Sequence, residues 1–118
     1  MRELGLGVIM TLVSVSGAYA ECEEGANSIL LEVRQDGGVE YETLEELYET
    51  CLSELQMGLI SRDAETMVSE IGSYLDSWDA LLRMSNVPPA SMKEEMIQKY
   101  PHIASMLQRD LQKLLDRI

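Results

Sequence analysis

Few residues of this chain have side chains suited to covalent chemistry. The 118 residues include two cysteines, Cys22 and Cys51, and one histidine, His102. An even cysteine count behind an export signal predicts one disulfide, here closing a loop of about thirty residues. Two buried free thiols in a cytosolic protein are the alternative. A redox-active pair is disfavoured because the chain has no Cys-x-x-Cys spacing.

Methionine and histidine at helical spacing raise the question of a copper site. His102 and Met106 are four residues apart, as are Met92 and Met96. Thioether ligands suit Cu(I), so these residues could bind that ion in an exported protein. The methionines also fall on apolar stripes, where methionine is an ordinary packing residue. We expect no metal site and no cofactor, and we expect His102 at the surface near a helix N-terminus.

The known catalytic patterns are missing from the sequence. It has no Gly-x-Ser-x-Gly elbow, no Cys–His pair at motif spacing and no glycine-rich phosphate loop. Its carboxylates show no calcium-loop pattern, and glycoside hydrolysis would need a cleft with two distinct carboxylate environments. With a single histidine in a small chain, these absences predict a protein without enzymatic activity or catalytic residues.

Acidic residues cluster in the middle of the chain, at Glu40, Glu42, Glu45, Glu46 and Glu49. Most of them occupy the early turns of a predicted helix, where they favour the helix dipole and face solvent. The alternative to a purely solvated face is a docking surface for a basic partner. On that alternative Glu45, Glu46 and Glu49 are the predicted contacts. Tyr41 and Tyr74 are then the predicted aromatic anchors.

The overall composition limits the partners. Nine Lys and Arg residues against 21 Asp and Glu residues give a net charge of −12 and a pI near 4.3. Such a charge disfavours nucleic acids and anionic membranes, which require clustered cations. A hydrophobic content of 46% permits a packed core, and the length suits one domain.

Residues 1–20 have the pattern of an export signal. A short basic end is followed by an uncharged run from Leu4 to Val15, and Ala18 and Ala20 form the small-x-small pair that signal peptidases accept. We predict cleavage after Ala20, a single helical domain over 21–118, and a periplasmic or secreted protein without stable membrane insertion. An uncleaved N-terminus that packs on the domain or tethers it to a membrane is the alternative.

The first element after the signal has two interpretations. Apolar residues recur on one helical face, at Cys22, Ala26, Ile29, Leu30 and Val33. The alternation of Leu31 and Val33 before Asp36-Gly37-Gly38, and of Val39 and Tyr41 after it, is also compatible with a short β-hairpin near 29–41. We favour the helix.

Later helices are predicted from start signals and apolar stripes. Thr43 with Glu46 and Ser91 with Glu94 have the spacing of capping boxes, and Asp63 is a predicted N-cap. The apolar stripe after Thr43 is Leu44, Leu47, Tyr48, Cys51, Leu52, Leu55 and Leu59. The stripe after Asp63 is Met67, Val68, Ile71, Leu75, Trp78, Leu81 and Leu82. Beyond Ser91 a short helix runs through Met92, Met96 and Tyr100, and Pro101 opens the last, whose stripe is Ile103, Met106, Leu107, Leu111, Leu114, Leu115 and Ile118. The prediction is an all-α bundle of four to five helices.

These features together predict an exported domain that acts by binding another protein. An inhibitor or immunity-type protein with a basic exported partner fits the charge, and assembly with further copies of the chain is compatible with it. The helical pattern behind a signal segment resembles that of periplasmic immunity proteins that neutralise cell-wall amidases, although no motif specific to them is present. The alternatives are a periplasmic chaperone or small-ligand carrier with a Met-lined groove, and a membrane-tethered regulator.

Overall fold

Five α-helices make up the computed structural model, which describes residues 21–118. They are α1 (Glu21–Asp36), α2 (Tyr41–Gln56), α3 (Glu65–Met84), α4 (Met92–Lys99) and α5 (Pro101–Arg117). Short 3₁₀ turns at Arg62–Ala64 and Pro89–Ser91 precede α3 and α4. No β-strand occurs in residues 21–118, so the all-α prediction is confirmed. The predicted signal peptide, residues 1–20, lies outside the described residues.

Four of the helices form a closed antiparallel ring. The helix α1 packs against α2 and α5, and α3 packs against the same two helices. The disulfide joins Cys22, near the start of α1, to Cys51, near the end of α2, which fixes their opposite directions. The short helix α4 lies between α3 and α5 in sequence and packs on α5.

The β-hairpin alternative is wrong, because α1 continues to Asp36. Its five predicted face residues are all buried, whereas Leu31, which the alternating pattern needs on one side of a strand, is 54% exposed. Gly37 ends the helix in the left-handed region at φ 84°, and its N–H donates to the Val33 carbonyl at 2.8 Å. That backbone conformation favours glycine.

The N-terminus of α2 differs from the predicted capping box. Glu40 is the N-cap and its side chain makes no capping hydrogen bond. Thr43 therefore lies inside the first turn and cannot cap it with Glu46. The helix therefore begins three residues earlier than the local signal implies, and Val39 and Leu44 on either side of its start are both buried.

The capping of α3 and α4 also differs from the predictions. The Ser61 hydroxyl accepts a hydrogen bond from the Asp63 N–H at 3.1 Å, so Ser61 caps the 3₁₀ turn and Asp63 is not the N-cap. Ser91 is the N-cap residue of α4, as predicted, but it also ends a 3₁₀ turn and its side chain makes no capping bond, so the second capping box is not formed. In both places the extra turn satisfies backbone groups that a side chain was expected to satisfy.

The core follows the predicted stripes closely. Trp78 is 2% exposed, and Met92, Met96, Leu107, Leu111 and Leu114 are fully buried. Trp78 also makes an edge-on contact with Tyr100, with ring centroids 5.5 Å apart. Leu59 and Met106 are the exceptions, since both were expected on buried stripes and about half of each is exposed. Leu59 follows the end of α2, and Met106 faces a groove described below.

A tight contact holds α4 on the end of α1. A Cβ atom on Gly38 would lie 2.9 Å from the Lys93 carbonyl oxygen, so only glycine allows this approach. The Lys93 Nζ donates to Glu32 Oε2 and Asp36 Oδ2, both at 2.9 Å. These two hydrogen bonds raise the pKa of Lys93 and link α4 to the last turns of α1.

Candidate binding surfaces

The disulfide is the covalent link that the sequence predicts. Cys22 and Cys51 are bonded, with Cα atoms 4.7 Å apart, and both side chains are fully buried. Both cysteines are therefore used in packing α1 against α2, and neither is available as a thiol nucleophile.

Glu54 is a structural residue that the sequence analysis missed. It is 5% exposed, and its carboxylate accepts hydrogen bonds from the backbone N–H groups of Glu21, at 2.8 Å, and Cys22, at 3.1 Å. It thus caps the first turn of α1 from another helix. Its position three residues after Cys51, on the same helical face, is the signal that could have identified it.

Tyr41, Glu45 and Glu49 are brought together along one side of α2. They line the α2–α3 groove, a depression of about 310 Å³ between these helices. The complete lining is Tyr41, Glu45, Tyr48, Glu49, Ser69, Gly72, Ser73, Leu75 and Asp76. Tyr48 packs closely over Gly72, where a Cβ atom would lie 2.8 Å from the tyrosine ring. The groove therefore combines aromatic rings with three carboxylates.

Glu46 points away from these residues. It is exposed like Glu45 and Glu49, but it lines a smaller depression between α1 and α2, of about 180 Å³. The three predicted contacts therefore occupy two sides of α2, and a single flat partner surface would touch the Glu45 and Glu49 side or the Glu46 side.

The acidity of α2 is uncompensated. Between Gly37 and Ser61 the sequence contains six Glu residues and no Lys or Arg. Elsewhere carboxylates pair with cations, as in Asp79 with Arg83 and Glu95 with Lys99. No described cation forms an ion pair with Glu45, Glu46 or Glu49, although all three are exposed.

The electrostatic environment of Tyr41 shows that this negative charge comes from two helices. Burial and the neighbouring negative charges of Asp79, Glu45 and Asp76 raise the pKa of Tyr41, while Arg83 opposes them. Asp76 and Asp79 belong to α3 and Glu45 to α2. A cation placed beside the Tyr41 ring would therefore be attracted from both sides.

Tyr74 lies on the other side of α3, away from Tyr41. It lines the α3–α5 groove, of about 290 Å³, together with Glu70, Ser73, Ser77, Trp78, Leu81, Ile103, Met106 and Asp110. Ser73 lines both grooves, so α3 separates them. The two predicted aromatic anchors consequently belong to different surfaces.

The Tyr74 hydroxyl is unusual because it is buried without a partner in hydrogen-bonding geometry. Burial, and after it the negative charge of the Asp110 carboxylate, raise the pKa of Tyr74. The ring itself is half-buried, as its position at the margin of the apolar stripe predicts.

Residues 21–118 contain neither a cluster of metal ligands nor a membrane-spanning helix. No group of three or more His, Cys, Asp or Glu residues in this range is placed to hold a metal ion. Met92 and Met96 are fully buried while His102 is exposed, so these residues do not share a surface. Among the helices of this range, none has both the length and the apolar character needed to cross a membrane.

No protein-family model matches this chain, and no curated protein sequence or solved structure matches it with significance. The surfaces described above are therefore the basis of the proposed function.

Proposed function

We propose that residues 21–118 form an exported, non-enzymatic binding domain that docks a basic protein on α2, as an inhibitor or immunity-type protein does. The observation that carries this proposal is the uncompensated acidity of α2 beside a half-buried tyrosine. Five exposed carboxylates follow one another here without an intervening cation, and they give this segment the means to attract a basic surface: Glu40, Glu42, Glu45, Glu46 and Glu49.

The α2–α3 groove supplies the specific part of this contact. Tyr41 and Tyr48 offer aromatic rings, and Glu45, Glu49 and Asp76 offer acceptors around them. An arginine of the partner suits this combination best, because its planar guanidinium can stack on a ring and bond a carboxylate in a bidentate manner. Long-range attraction by the net charge of −12 would accelerate the encounter.

The disulfide supports a location outside the cytosol. Disulfides persist in oxidising compartments, and this one is fully buried. Together with the predicted signal peptide, it supports a periplasmic or secreted protein whose partner is exported as well.

Capture of a partner from the exported fraction tests the proposal. Two baits are compared: the unchanged exported protein and a variant in which Glu45, Glu46 and Glu49 are changed to lysine. A matched control reverses three exposed carboxylates on other helices, Glu24, Glu94 and Asp116. Net charge is then identical in both variants.

We expect one basic protein to be retained by the unchanged bait and by the control, and to be lost from the α2 variant. Equal loss of capture from both variants would show that binding depends on net charge and not on the α2 surface. Capture that is retained by both would exclude α2 as the docking surface.

A carrier of small apolar ligands is the second candidate, and the α3–α5 groove favours it. Trp78, Leu81, Ile103 and Met106 give this groove an apolar lining, with Asp110 near Tyr74. Met106 is the one methionine that lines this groove, and Met92 and Met96 are in the core. Native-state binding of a hydrophobic dye that Leu81→Glu abolishes would support this function, and absence of dye binding would contradict it.

A further inference from the structure

Glu54 is the only buried charged side chain among residues 21–118. Its oxygens are occupied by two neutral donors, the N–H groups of Glu21 and Cys22, and it forms no ion pair with a described cation. A buried carboxylate costs free energy unless hydrogen bonds or a cation compensate for the lost water. A charged donor in place of one peptide N–H would compensate for this cost more fully.

The identity of one donor is the decisive point. Glu21 is the residue that follows the predicted cleavage site, and its backbone nitrogen lies 2.8 Å from Glu54 Oε2. The neighbouring Cys22 is bonded to Cys51, one turn before Glu54 on α2. The disulfide therefore holds the start of α1 beside the carboxylate.

We propose that Glu54 is the acceptor for a new N-terminus formed by cleavage between Ala20 and Glu21. A peptidase that accepts small residues hydrolyses this peptide bond. The hydroxyl of water goes to the Ala20 carbonyl carbon, and its hydrogen goes to the Glu21 nitrogen, which takes a further proton from solvent. The nitrogen that already contacts Glu54 then carries a positive charge, and the contact becomes an ammonium–carboxylate ion pair.

Two opposing effects act on this ammonium. The helix dipole disfavours a positive charge at the start of a helix, but this effect is small at an exposed site and acts only within the first turn. A carboxylate at 2.8 Å, largely shielded from water, attracts it more strongly, because charge-assisted hydrogen bonds are about twice as strong as neutral ones. Processing is therefore coupled to stability, and the cleaved chain is more stable with its free amine than with that amine blocked.

The inference depends on the predicted cleavage but goes beyond partner binding, so loss of partner capture would leave it unaffected. The test begins with the full chain, exported with its own residues 1–20 and recovered after processing. N-terminal sequencing identifies the first residue. The α-amine is then acetylated in denaturant at mildly acidic pH, where it reacts before the lysines, with the disulfide intact. Refolded samples are compared by denaturant unfolding.

The variants are Glu54→Gln and, as a control, Glu42→Gln, which removes an exposed carboxylate at the other end of α2. We expect the first residue to be Glu21. Acetylation should lower the folding equilibrium constant at least about tenfold in the parent and in Glu42→Gln, but less than about threefold in Glu54→Gln. A different first residue, or an equal loss in all three proteins, would overturn the proposal.

A second measurement applies if Glu54→Gln does not fold. In the folded parent, we expect amine-reactive labelling of the α-amine to be at least about tenfold slower than in denaturant, as charge pairing and partial burial protect it. The exposed Lys113 side chain serves as the internal reference. Equal labelling rates for the α-amine in the folded and unfolded chains would overturn the proposal.

Discussion

At the scale of single residues, the chain shows how a polar atom can be left without a partner. Tyr74 is half-buried between α3 and α5, and its hydroxyl is shielded from water without a hydrogen bond of acceptable geometry. An orphaned hydroxyl contributes little to stability, since its desolvation is not offset. The nearby Asp110 also disfavours the charged phenolate.

We predict that Tyr74→Phe leaves stability at pH 7 within about 1 kcal/mol of the parent, because the ring packing is kept and no hydrogen bond is lost. Chemical denaturation at neutral pH measures this difference. A loss of more than about 2 kcal/mol would show that the hydroxyl has a good partner in solution.

The pH dependence of the same substitution has a definite sign. The folded-state pKa of Tyr74 is raised above 10, so the unfolded chain loses this proton first as pH rises. Its contribution to stability is present below pH 10 and is lost as pH rises through the folded-state value. Unfolding curves between about pH 9 and pH 11 should therefore show a shallower decline for Tyr74→Phe than for the parent. Parallel declines would contradict the assignment.

At the scale of elements, the docking of α4 depends on one glycine. Gly38 approaches the Lys93 backbone, and Lys93 bonds Glu32 and Asp36 from the same side. This small helix carries Met92 and Met96 into the core, so its position affects the packing of the whole bundle.

We predict that Gly38→Ala destabilises the protein by about 1–3 kcal/mol, because the new methyl group would meet a backbone oxygen that cannot move alone. Gly25→Ala is the matched control. Its Cβ would lie 3.1 Å from the end of the Leu47 side chain, which can shift, and alanine favours the helix by up to about 1 kcal/mol. Thermal unfolding of both variants distinguishes them, and an equal effect would contradict the proposed contact.

Helix faces were predictable because their information is local. Cys22, Ala26, Ile29, Leu30 and Val33 recur with the helical period, and all of them are buried. Helix starts were less predictable, since the capping signals at Thr43 and Ser91 are overridden by tertiary packing and 3₁₀ turns. Local pattern alone does not determine where the chain enters the core.

The candidate surfaces were predictable only in part. The exposure of Glu45, Glu46 and Glu49 and the partial burial of Tyr74 follow from their positions relative to the stripes. Their grouping into separate grooves depends on which helices meet, and Asp76 joins Tyr41 only because α3 packs beside α2. Glu54 was missed because a carboxylate is expected at the surface unless its partners are known.

At the scale of the whole molecule, one disulfide and one asymmetric charge distribution define the domain. The disulfide closes a loop with a sequence separation of 29 residues and joins the first turn of α1 to α2. The helix α2 has five acidic residues and no Lys or Arg, so its charge is the most negative of the five helices. Stability and recognition therefore both involve this helix.

We predict that reducing Cys22–Cys51 lowers the free energy of unfolding by about 3.5 kcal/mol, the loop-closure effect expected for a loop of this length. The measurement compares denaturant unfolding with and without reductant, with the thiols blocked after reduction. Unchanged stability would mean that the reduced chain keeps α1 and α2 together without the link.

The most direct test of the proposed function is the salt dependence of the dissociation constant for the captured partner. We predict that the affinity of the unchanged protein falls steeply as salt rises from about 50 mM to about 500 mM, because exposed charges attract the partner. Changing Glu45, Glu46 and Glu49 to glutamine, which removes their charge without reversing it, should abolish most of this slope. The matched neutral variant, with glutamine at Glu24 and Glu94 and asparagine at Asp116, should preserve most of it. Equal slopes for the two variants would contradict recognition through α2.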